Sequence, residues 1–213
     1  MPATVVHETA PDYWADACRH LMKRDRVMKK LIPQYGGACL QSRGDAFVTL
    51  ARSIVGQQIS VKAAQSVWDR FAGLPKKMTP AYVLKLKVDD MRAAGLSARK
   101  VEYLVDLALH FANDQVHVKG WATMPDEDII AELVAIRGIG RWTAEMFLIF
   151  HLMRPNVLPL DDIGLQNGIR RCYFSGVPVC RSEIREVATS WAPFCSVATW
   201  YIWRSLDPLP VSY

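Results

Sequence analysis

The chain of 213 residues is 51% hydrophobic, which excludes an intrinsically disordered protein and suffices for one core or two closely packed lobes. Its net charge of +5 and isoelectric point of about 9.0 are compatible with a nucleic-acid partner without requiring one. The longest apolar run, Met146–Phe150, is far too short to cross a membrane, and the N-terminus shows no secretory signal. We therefore expect an intracellular protein with no membrane partner.

Helical periodicity in the first half of the chain predicts a series of helices, without the alternation typical of strands. Asp12, Asp45, Ser60 and Ser97 each precede an apolar helical pattern and are predicted N-caps. The predicted helices are Tyr13–Leu21, Arg24–Ile32, Asp45–Val55, Val61–Phe71, a short helix from Pro80, Leu86–Ala94 and a longer helix from Ser97 to about Ala112.

The second half continues this pattern and places one tight turn between two helices. The first of these helices begins at Pro125, and Gly138-Ile139-Gly140 forms the turn, because glycine enters the positive-φ region at little cost. The second helix runs from Trp142 to Leu152 and stops before Pro155. The later predicted helices are Asp162 to about Tyr173, Arg181–Trp191 and Phe194–Leu206. The sequence therefore predicts an all-α fold.

The turn at 138–140 is a candidate anion site. Backbone N–H groups at a helix N-terminus, with no side chains in the way, fit a DNA phosphate. Arg137 and Arg141 flank the turn and add positive charge. A glycine-capped turn that binds no ligand is the alternative. The acidic pair Asp161-Asp162, which follows a proline-containing loop, favours the functional interpretation.

Three stretches of the chain resemble a known family: LARSIVGQQISVKAA (Leu50–Ala64), LVAIRGIGRWTA followed by LPLDDIGL within Leu133–Leu165, and WAPFCSVATWYIW (Trp191–Trp203). They are similar to the HhH-GPD superfamily of helix-hairpin-helix DNA glycosylases, and within it to the alkylation-repair branch, DNA-3-methyladenine glycosylase II. The resemblance covers roughly residues 45 to 206. It implies a two-lobed helical fold with a cleft between the lobes. One lobe would comprise residues 1–44 and about 160–213, and the other about 45–159, with the hairpin at 133–152.

By this resemblance Asp162 is the catalytic residue. Cleavage of an N-glycosidic bond builds positive charge on the deoxyribose, and a carboxylate beside C1′ stabilises that charge and orients or deprotonates water. A methylated purine such as 3-methyladenine or 7-methylguanine already carries positive charge and leaves easily. Helix N-capping is the alternative role for both aspartates, and we expect Asp161 to be the cap while Asp162 faces the substrate.

The resemblance also implies a monofunctional enzyme. In relatives that cut the DNA backbone as well, a lysine two residues after the second hairpin glycine forms a Schiff base with the sugar. Trp142 stands at that position here. Water would therefore be the final nucleophile.

A base-binding pocket is implied by the same resemblance. Trp142, Trp203 and Met146 would contact the flipped base, and an electron-poor purine gains roughly 0.5–2 kcal/mol from cation–π stacking on an aromatic ring. A place in the core is the alternative for any single tryptophan. Gln58, in the turn Gly56–Ser60, would be the wedge that fills the gap left by the flipped nucleotide. A pair of helix caps is the alternative reading of that turn.

Direct contact with DNA is implied for six residues: Gln58, Gly138, Ile139, Gly140, Arg141 and Thr143. Arg99 and Lys100 lie either beside the DNA backbone or in an ordinary solvated first turn of a helix. The partner would be double-stranded DNA that contains damaged bases, and we expect a monomer.

Cofactors are predicted only at the hairpin. By the resemblance, the carbonyl groups of Gly138 and Gly140 would hold a structural Na⁺ or K⁺. The cysteines are too few and too scattered for the [4Fe–4S] loop of some relatives, so we expect no cluster and no required cofactor. The five cysteines are Cys18, Cys39, Cys172, Cys180 and Cys195.

Two other functions stay open: a helix-hairpin-helix glycosylase for a different lesion, and a non-catalytic DNA-binding protein with the same hairpin. Asp162 and Trp203 argue against the non-catalytic protein. The lack of a lysine at position 142 and of a cluster argues against most other glycosylases.

Overall fold

A computed structural model describes residues 10–35, 39–42 and 44–207. Over these ranges the chain forms twelve α-helices and two short 3₁₀ helices, and no strand, so the predicted all-α fold is confirmed. None of the described helices is long and apolar enough to span a membrane. The 3₁₀ helices are Ile32–Tyr35 and Val118–Gly120. The α-helices are α1 (Trp14–Arg24), α2 (Arg26–Leu31), α3 (Ala46–Gly56), α4 (Val61–Ala72), α5 (Pro80–Val83), α6 (Val88–Ala93), α7 (Ala98–Ala112), α8 (Asp126–Val134), α9 (Arg141–Phe150), α10 (Ile163–Tyr173), α11 (Arg181–Ala188) and α12 (Cys195–Leu206).

Side-chain N-caps mark several of the helix starts. Asp45, Ser60 and Ser97 accept hydrogen bonds from the backbone N–H groups three residues onward, at 3.1, 3.3 and 3.2 Å, as predicted. The prediction for Asp12 was wrong, because α1 begins one residue later, with Tyr13 in the N-cap position and no side-chain cap.

The first compact unit combines the described residues up to Ser42 with those from Leu148 onward. Within it α12 packs against α1, α2 and α10, around fully buried side chains such as Leu21 and Trp191. The axes of α10 and α12 come close because position 168 is glycine. A Cβ atom on Gly168 would lie 2.2 Å from Cγ2 of Ile202. This close approach brings the start of α10 next to the third turn of α12.

The second compact unit contains the described residues between Ser42 and Leu148. Within it α7 packs against α3, α5 and α6, and α4 packs against α3. Its core includes the fully buried Phe71, Leu104 and Ile129. The turn between α8 and α9 belongs to this unit.

The lobe boundary near residue 160 that the resemblance implies differs from the boundary between the two compact units. That boundary falls within α9, between Phe147 and Leu148. Residues 148–159 belong with the first unit because of bonds that no sequence pattern reveals. Ser196 Oγ accepts from Val157 N at 2.9 Å, and Tyr13 OH donates to the carbonyl of Met153 at 2.7 Å. The ring of Phe150 stacks on that of Trp203.

Candidate functional site

Asp162 is buried, with 5% of its surface exposed, and is the N-cap of α10. Its Oδ1 atom accepts two hydrogen bonds, from Leu165 N at 2.5 Å and from the indole Nε1 of Trp203 at 2.7 Å. The expectation that Asp161 is the cap was wrong. Asp161 is exposed and pairs with Arg181, whereas the extended backbone of Asp162 (φ −74°, ψ 117°) gives it the N-cap geometry.

Trp203 holds this carboxylate from α12. The side chain is 4% exposed, and its ring lies 5.7 Å from that of Phe150 at an interplanar angle of 12°. Gly164 leaves room for the pair, since a Cβ atom there would lie 3.1 Å from Asp162 Oδ1 and 3.1 Å from the Trp203 ring. Phe150 and Gly164 were not predicted as site residues, and of the two only Gly164, two residues after Asp162, has a signal in the sequence.

This arrangement suits a carboxylate that acts electrostatically. A buried anion held by fixed hydrogen-bond donors interacts more strongly with a nearby positive charge than it would in water. It also needs no rearrangement when such a charge develops. Both Asp162 and Trp203 were predicted from the resemblance, and the structure brings their side chains into direct contact.

The turn between α8 and α9 depends on one glycine. Gly138 has φ of +86°, and a Cβ atom there would lie 2.2 Å from the ring of Tyr103. The side chain of Ile139 is buried, and its N–H donates to the carbonyl of Ile136 at 3.1 Å. Neither the side chain nor the amide of Ile139 is therefore an open group for DNA.

Gly140 leaves the start of α9 open. No atom lies within 4 Å of where its Cβ would be, and its carbonyl accepts the first helical bond from Ala144 N at 3.0 Å. The amides of Arg141, Trp142 and Thr143 therefore form the N-terminal turn of a helix, as the anion-site hypothesis requires.

The predicted side chains of α9 differ in exposure. Trp142 is 38% exposed, whereas Thr143 and Met146 are buried. Of these three, Trp142 has the side chain most open to a ligand.

The two arginines that flank the turn are both ion-paired. Arg141 binds Glu127 with two nitrogens, at 2.9 and 2.6 Å, and reaches the buried Glu145 at 3.0 Å. The hydrogen bonds that Arg141 donates to Glu127 lower the pKa of Glu127 and raise the pKa of Arg141. Arg137 pairs with Glu102 at 3.0 Å. Since carboxylates offset both charges, the turn would attract an anion chiefly through its amides.

The predicted wedge loop is bonded to the same turn. Gln58 is exposed and adopts φ of +59°, whereas its neighbour Gln57 donates from Nε2 to the Gly138 carbonyl at 2.9 Å. Lys100 donates from Nζ to the carbonyls of Val55 and Gln57, at 2.7 and 2.8 Å, and burial lowers its pKa. Lys100 is thus a tether at the C-terminus of α3, a role that the sequence analysis did not foresee.

The predicted cation ligands are already hydrogen-bond acceptors. The carbonyl of Gly138 accepts from Gln57, and that of Gly140 accepts from Ala144. Each carbonyl oxygen has two lone pairs, so one accepted hydrogen bond leaves the other lone pair for a cation, and the Na⁺ or K⁺ stays a prediction. In the part of the chain that the structure describes, no three side chains of His, Cys, Asp or Glu converge on a possible metal position.

Comparison with known proteins agrees with this geometry. A family model described as "HhH-GPD superfamily base excision DNA repair protein" matches residues 51–193. The chain belongs to the HhH-GPD superfamily of base excision DNA repair proteins, which confirms the resemblance read from the motifs.

Individual relatives carry more specific names. DNA-3-methyladenine glycosylase 1 of Schizosaccharomyces pombe is 33% identical to this chain over 87% of it and 85% of the relative. A crystal structure of a DNA-3-methyladenine glycosidase from Bacillus halodurans superposes with a TM-score of 0.84 at 30% identity, over 90% of this chain and 89% of that one. A 3-methyladenine DNA glycosylase from S. pombe, solved in complex with abasic DNA, has a TM-score of 0.76 at 29% identity, over 93% and 100% of the two chains.

Proposed function

We propose that this protein is a monofunctional DNA glycosylase that removes alkylated purines, such as 3-methyladenine and 7-methylguanine, from double-stranded DNA. The observation that carries the proposal is the buried carboxylate of Asp162, held by the indole of Trp203 and the amide of Leu165. Names given to relatives support it, since all three of those described above are named as 3-methyladenine glycosylases or glycosidases, and one of the three was solved on abasic DNA. The protein would act inside the cell as a monomer.

The reaction follows from where charge develops. As the bond between C1′ and the purine nitrogen breaks, the purine takes the bonding electrons and the sugar becomes an oxocarbenium ion. The Asp162 carboxylate stabilises that ion, and water then adds to C1′ and passes its proton to the carboxylate or to solvent. An alkylated purine is already positively charged and leaves as a neutral base. The enzyme therefore needs no acid to protonate the leaving group.

The hairpin would hold the DNA while this happens. The open amides at the start of α9 are suited to a backbone phosphate, and the exposed Gln58 is suited to enter the duplex beside the flipped nucleotide. Gln57 and Lys100 keep the loop that carries Gln58 attached to its neighbours.

The absence of lyase activity is part of the proposal, because Trp142 offers no amine to attack the sugar. Incubation with lesion-containing duplex and borohydride should trap no covalent protein–DNA adduct. A trapped adduct would show that another amine of the chain attacks C1′, and the enzyme would then be bifunctional.

Substitution of Asp162 tests the proposal most directly. In Asp162→Asn the side chain still caps α10, because asparagine is as good an N-cap as aspartate, but it loses its charge. We expect single-turnover release of 7-methylguanine from methylated duplex to slow by about 10²–10³-fold or more. Asp161→Asn is the matched control and should keep a rate within about twofold of wild type, since a surface ion pair contributes little. Full-speed release by Asp162→Asn, or no release by the wild type, would refute the proposal.

A further inference from the structure

A groove of the first unit contains neither Asp162 nor Trp203 in its lining. It has a volume of about 1110 Å³ and is lined by the end of α1, by α2, by the 3₁₀ helix after it and by the C-terminal end of α10. Four basic side chains, Arg24, Arg26, Lys29 and Lys30, line it with Asp25 as the single acidic residue. A groove of this composition favours an anionic ligand.

Among the described residues Asp25 forms no ion pair with these basic side chains. The residue is 8% exposed, and its carboxylate is held within the protein by donors on three sides. Oδ1 accepts from the N–H groups of Val27 and Met28, at 2.8 and 3.0 Å. Oδ2 accepts from Tyr173 OH at 2.8 Å and Trp191 Nε1 at 3.0 Å. Asp25 therefore fixes the start of α2 and its position beside α10, while the basic side chains remain exposed.

The spacing of the basic residues gives them a common direction. Arg26, Lys29 and Lys30 stand at positions i, i+3 and i+4 of α2 and so share one face of the helix, while Met28 is buried on another. Among the described residues none of these three has an ion-pair partner, in contrast to Arg137 and Arg141 beside the hairpin. The charge of α2 is thus available to a ligand, and that of the hairpin arginines is already offset.

We propose that this groove is a second DNA-backbone site, which binds phosphates of the duplex that flanks the lesion. The inference rests on the proposed function, because that function brings a polyanion to the other end of the same helix. Helix α10 carries Asp162 at its start and Tyr173, a groove residue, at its end, about 16 Å away at 1.5 Å per residue. That length corresponds to roughly five phosphates along one strand.

Salt dependence of DNA binding tests the proposal. Each phosphate contact contributes about 0.9 to the slope of log K against log salt concentration. For Lys29→Gln/Lys30→Gln we expect the slope on a long undamaged duplex to fall by about 1.8, and affinity near physiological salt to weaken about tenfold. Single-turnover release of 7-methylguanine at saturating enzyme should stay within about twofold of wild type, because Asp162 is untouched.

A matched variant separates a local site from general charge. Lys76→Gln/Lys77→Gln removes two adjacent exposed lysines from the other unit and should change the slope by less than half as much. A duplex too short to extend beyond the lesion by five base pairs should bind wild type and the Lys29/Lys30 variant equally. An unchanged slope for the Lys29/Lys30 variant, or an equal loss in both variants, would overturn the proposal and leave an acidic protein as the groove's partner. If wild type released no methylated purine, the proposed function would fail instead.

Discussion

The surroundings of Asp162 and the turn at Gly138–Gly140 are built in opposite ways. In the proposed function Asp162 would act through a side chain that is buried and held by another buried side chain, Trp203. The turn would act through its backbone, and its two glycines would matter because they carry no side chain. The chemistry of bond cleavage needs one charge in one position, whereas binding a phosphate needs amides that a ligand can approach. Substitutions in the two regions should therefore fail at different steps.

The largest effect on stability is expected at Gly138, where the turn has no room for a side chain. Gly138→Ala places a methyl group against the Tyr103 ring and forces alanine to φ of +86°. We expect a loss of about 2–4 kcal/mol in the free energy of unfolding, since strain and overpacking each cost about 1–3 kcal/mol. Urea denaturation measures this loss. A change below roughly 0.5 kcal/mol, which is the range expected of neutral surface substitutions, would contradict the need for glycine.

The next largest effect is expected at Trp203, and it concerns the rate of base release. Trp203→Phe keeps a ring to stack on Phe150 but removes the donor to Asp162. A hydrogen bond to a charged group contributes about 1.5–3 kcal/mol, so we expect base release to slow about tenfold or more with DNA affinity unchanged.

Trp200→Phe is the control for that prediction. It makes the same change on the same helix, at a buried tryptophan that packs against Trp14. It should cost stability without slowing the single-turnover rate. An equal slowing in both variants would mean that α12 packing, and not the indole donor, limits the reaction.

A smaller effect, on DNA affinity, is expected at Gly140. Gly140→Ala adds a methyl group where no protein atom lies within 4 Å, so stability should change little. DNA binding should weaken by a factor of about three to ten, because the methyl group stands beside the amides that a phosphate would approach. Fluorescence anisotropy on duplex DNA checks this, and unchanged affinity would place the phosphate elsewhere.

The smallest effect is expected at Glu132, whose contribution to stability depends on pH. Glu132 of α8 accepts from Trp121 Nε1 at 2.9 Å and from His117 Nδ1 at 2.5 Å. Burial raises the pKa of Glu132, but these hydrogen bonds outweigh burial and leave the folded pKa below its usual value. The ionised group therefore adds stability above the ordinary glutamate pKa of about 4.3, and that contribution is lost as pH falls through the lowered folded value.

Glu132→Gln should accordingly be less stable than wild type by roughly 0.5–1 kcal/mol at neutral pH, with the gap closing in acid. Thermal unfolding between pH 7 and pH 3 measures it, with Glu186→Gln on the exposed face of α11 as the control. A gap that stays constant with pH would show that shape, not charge, makes Glu132 stabilising.

Local signals explain what could be predicted from the sequence. The helices that start after Asp45, Ser60 and Ser97 each depend on a hydrogen bond between the N-cap side chain and the amide three residues onward. Such a local bond can be predicted from the residue type and the helical pattern that follows it. The turn at Gly138 could also be predicted from the sequence, because a backbone with positive φ favours glycine.

Long-range partners explain what could not be predicted. The bonds from Lys100 to Val55 and Gln57 join residues more than forty positions apart. The pairing of Arg137 with Glu102 likewise required the fold. That Asp162 and not Asp161 is the N-cap depends on backbone geometry, which two adjacent aspartates in the sequence do not reveal.

The bonds of Gln57 define what an engineer can alter in the neighbouring loop. Gln57 and Lys100 make the hydrogen bonds that hold this loop. Substitutions at position 58 therefore leave the bond to the hairpin intact, whereas substitutions at position 57 remove it. The left-handed backbone at 58 limits that library, since asparagine and glycine enter this conformation readily and branched residues do not. A library of variants at position 58 should therefore begin with glycine, asparagine and other residues that tolerate this conformation.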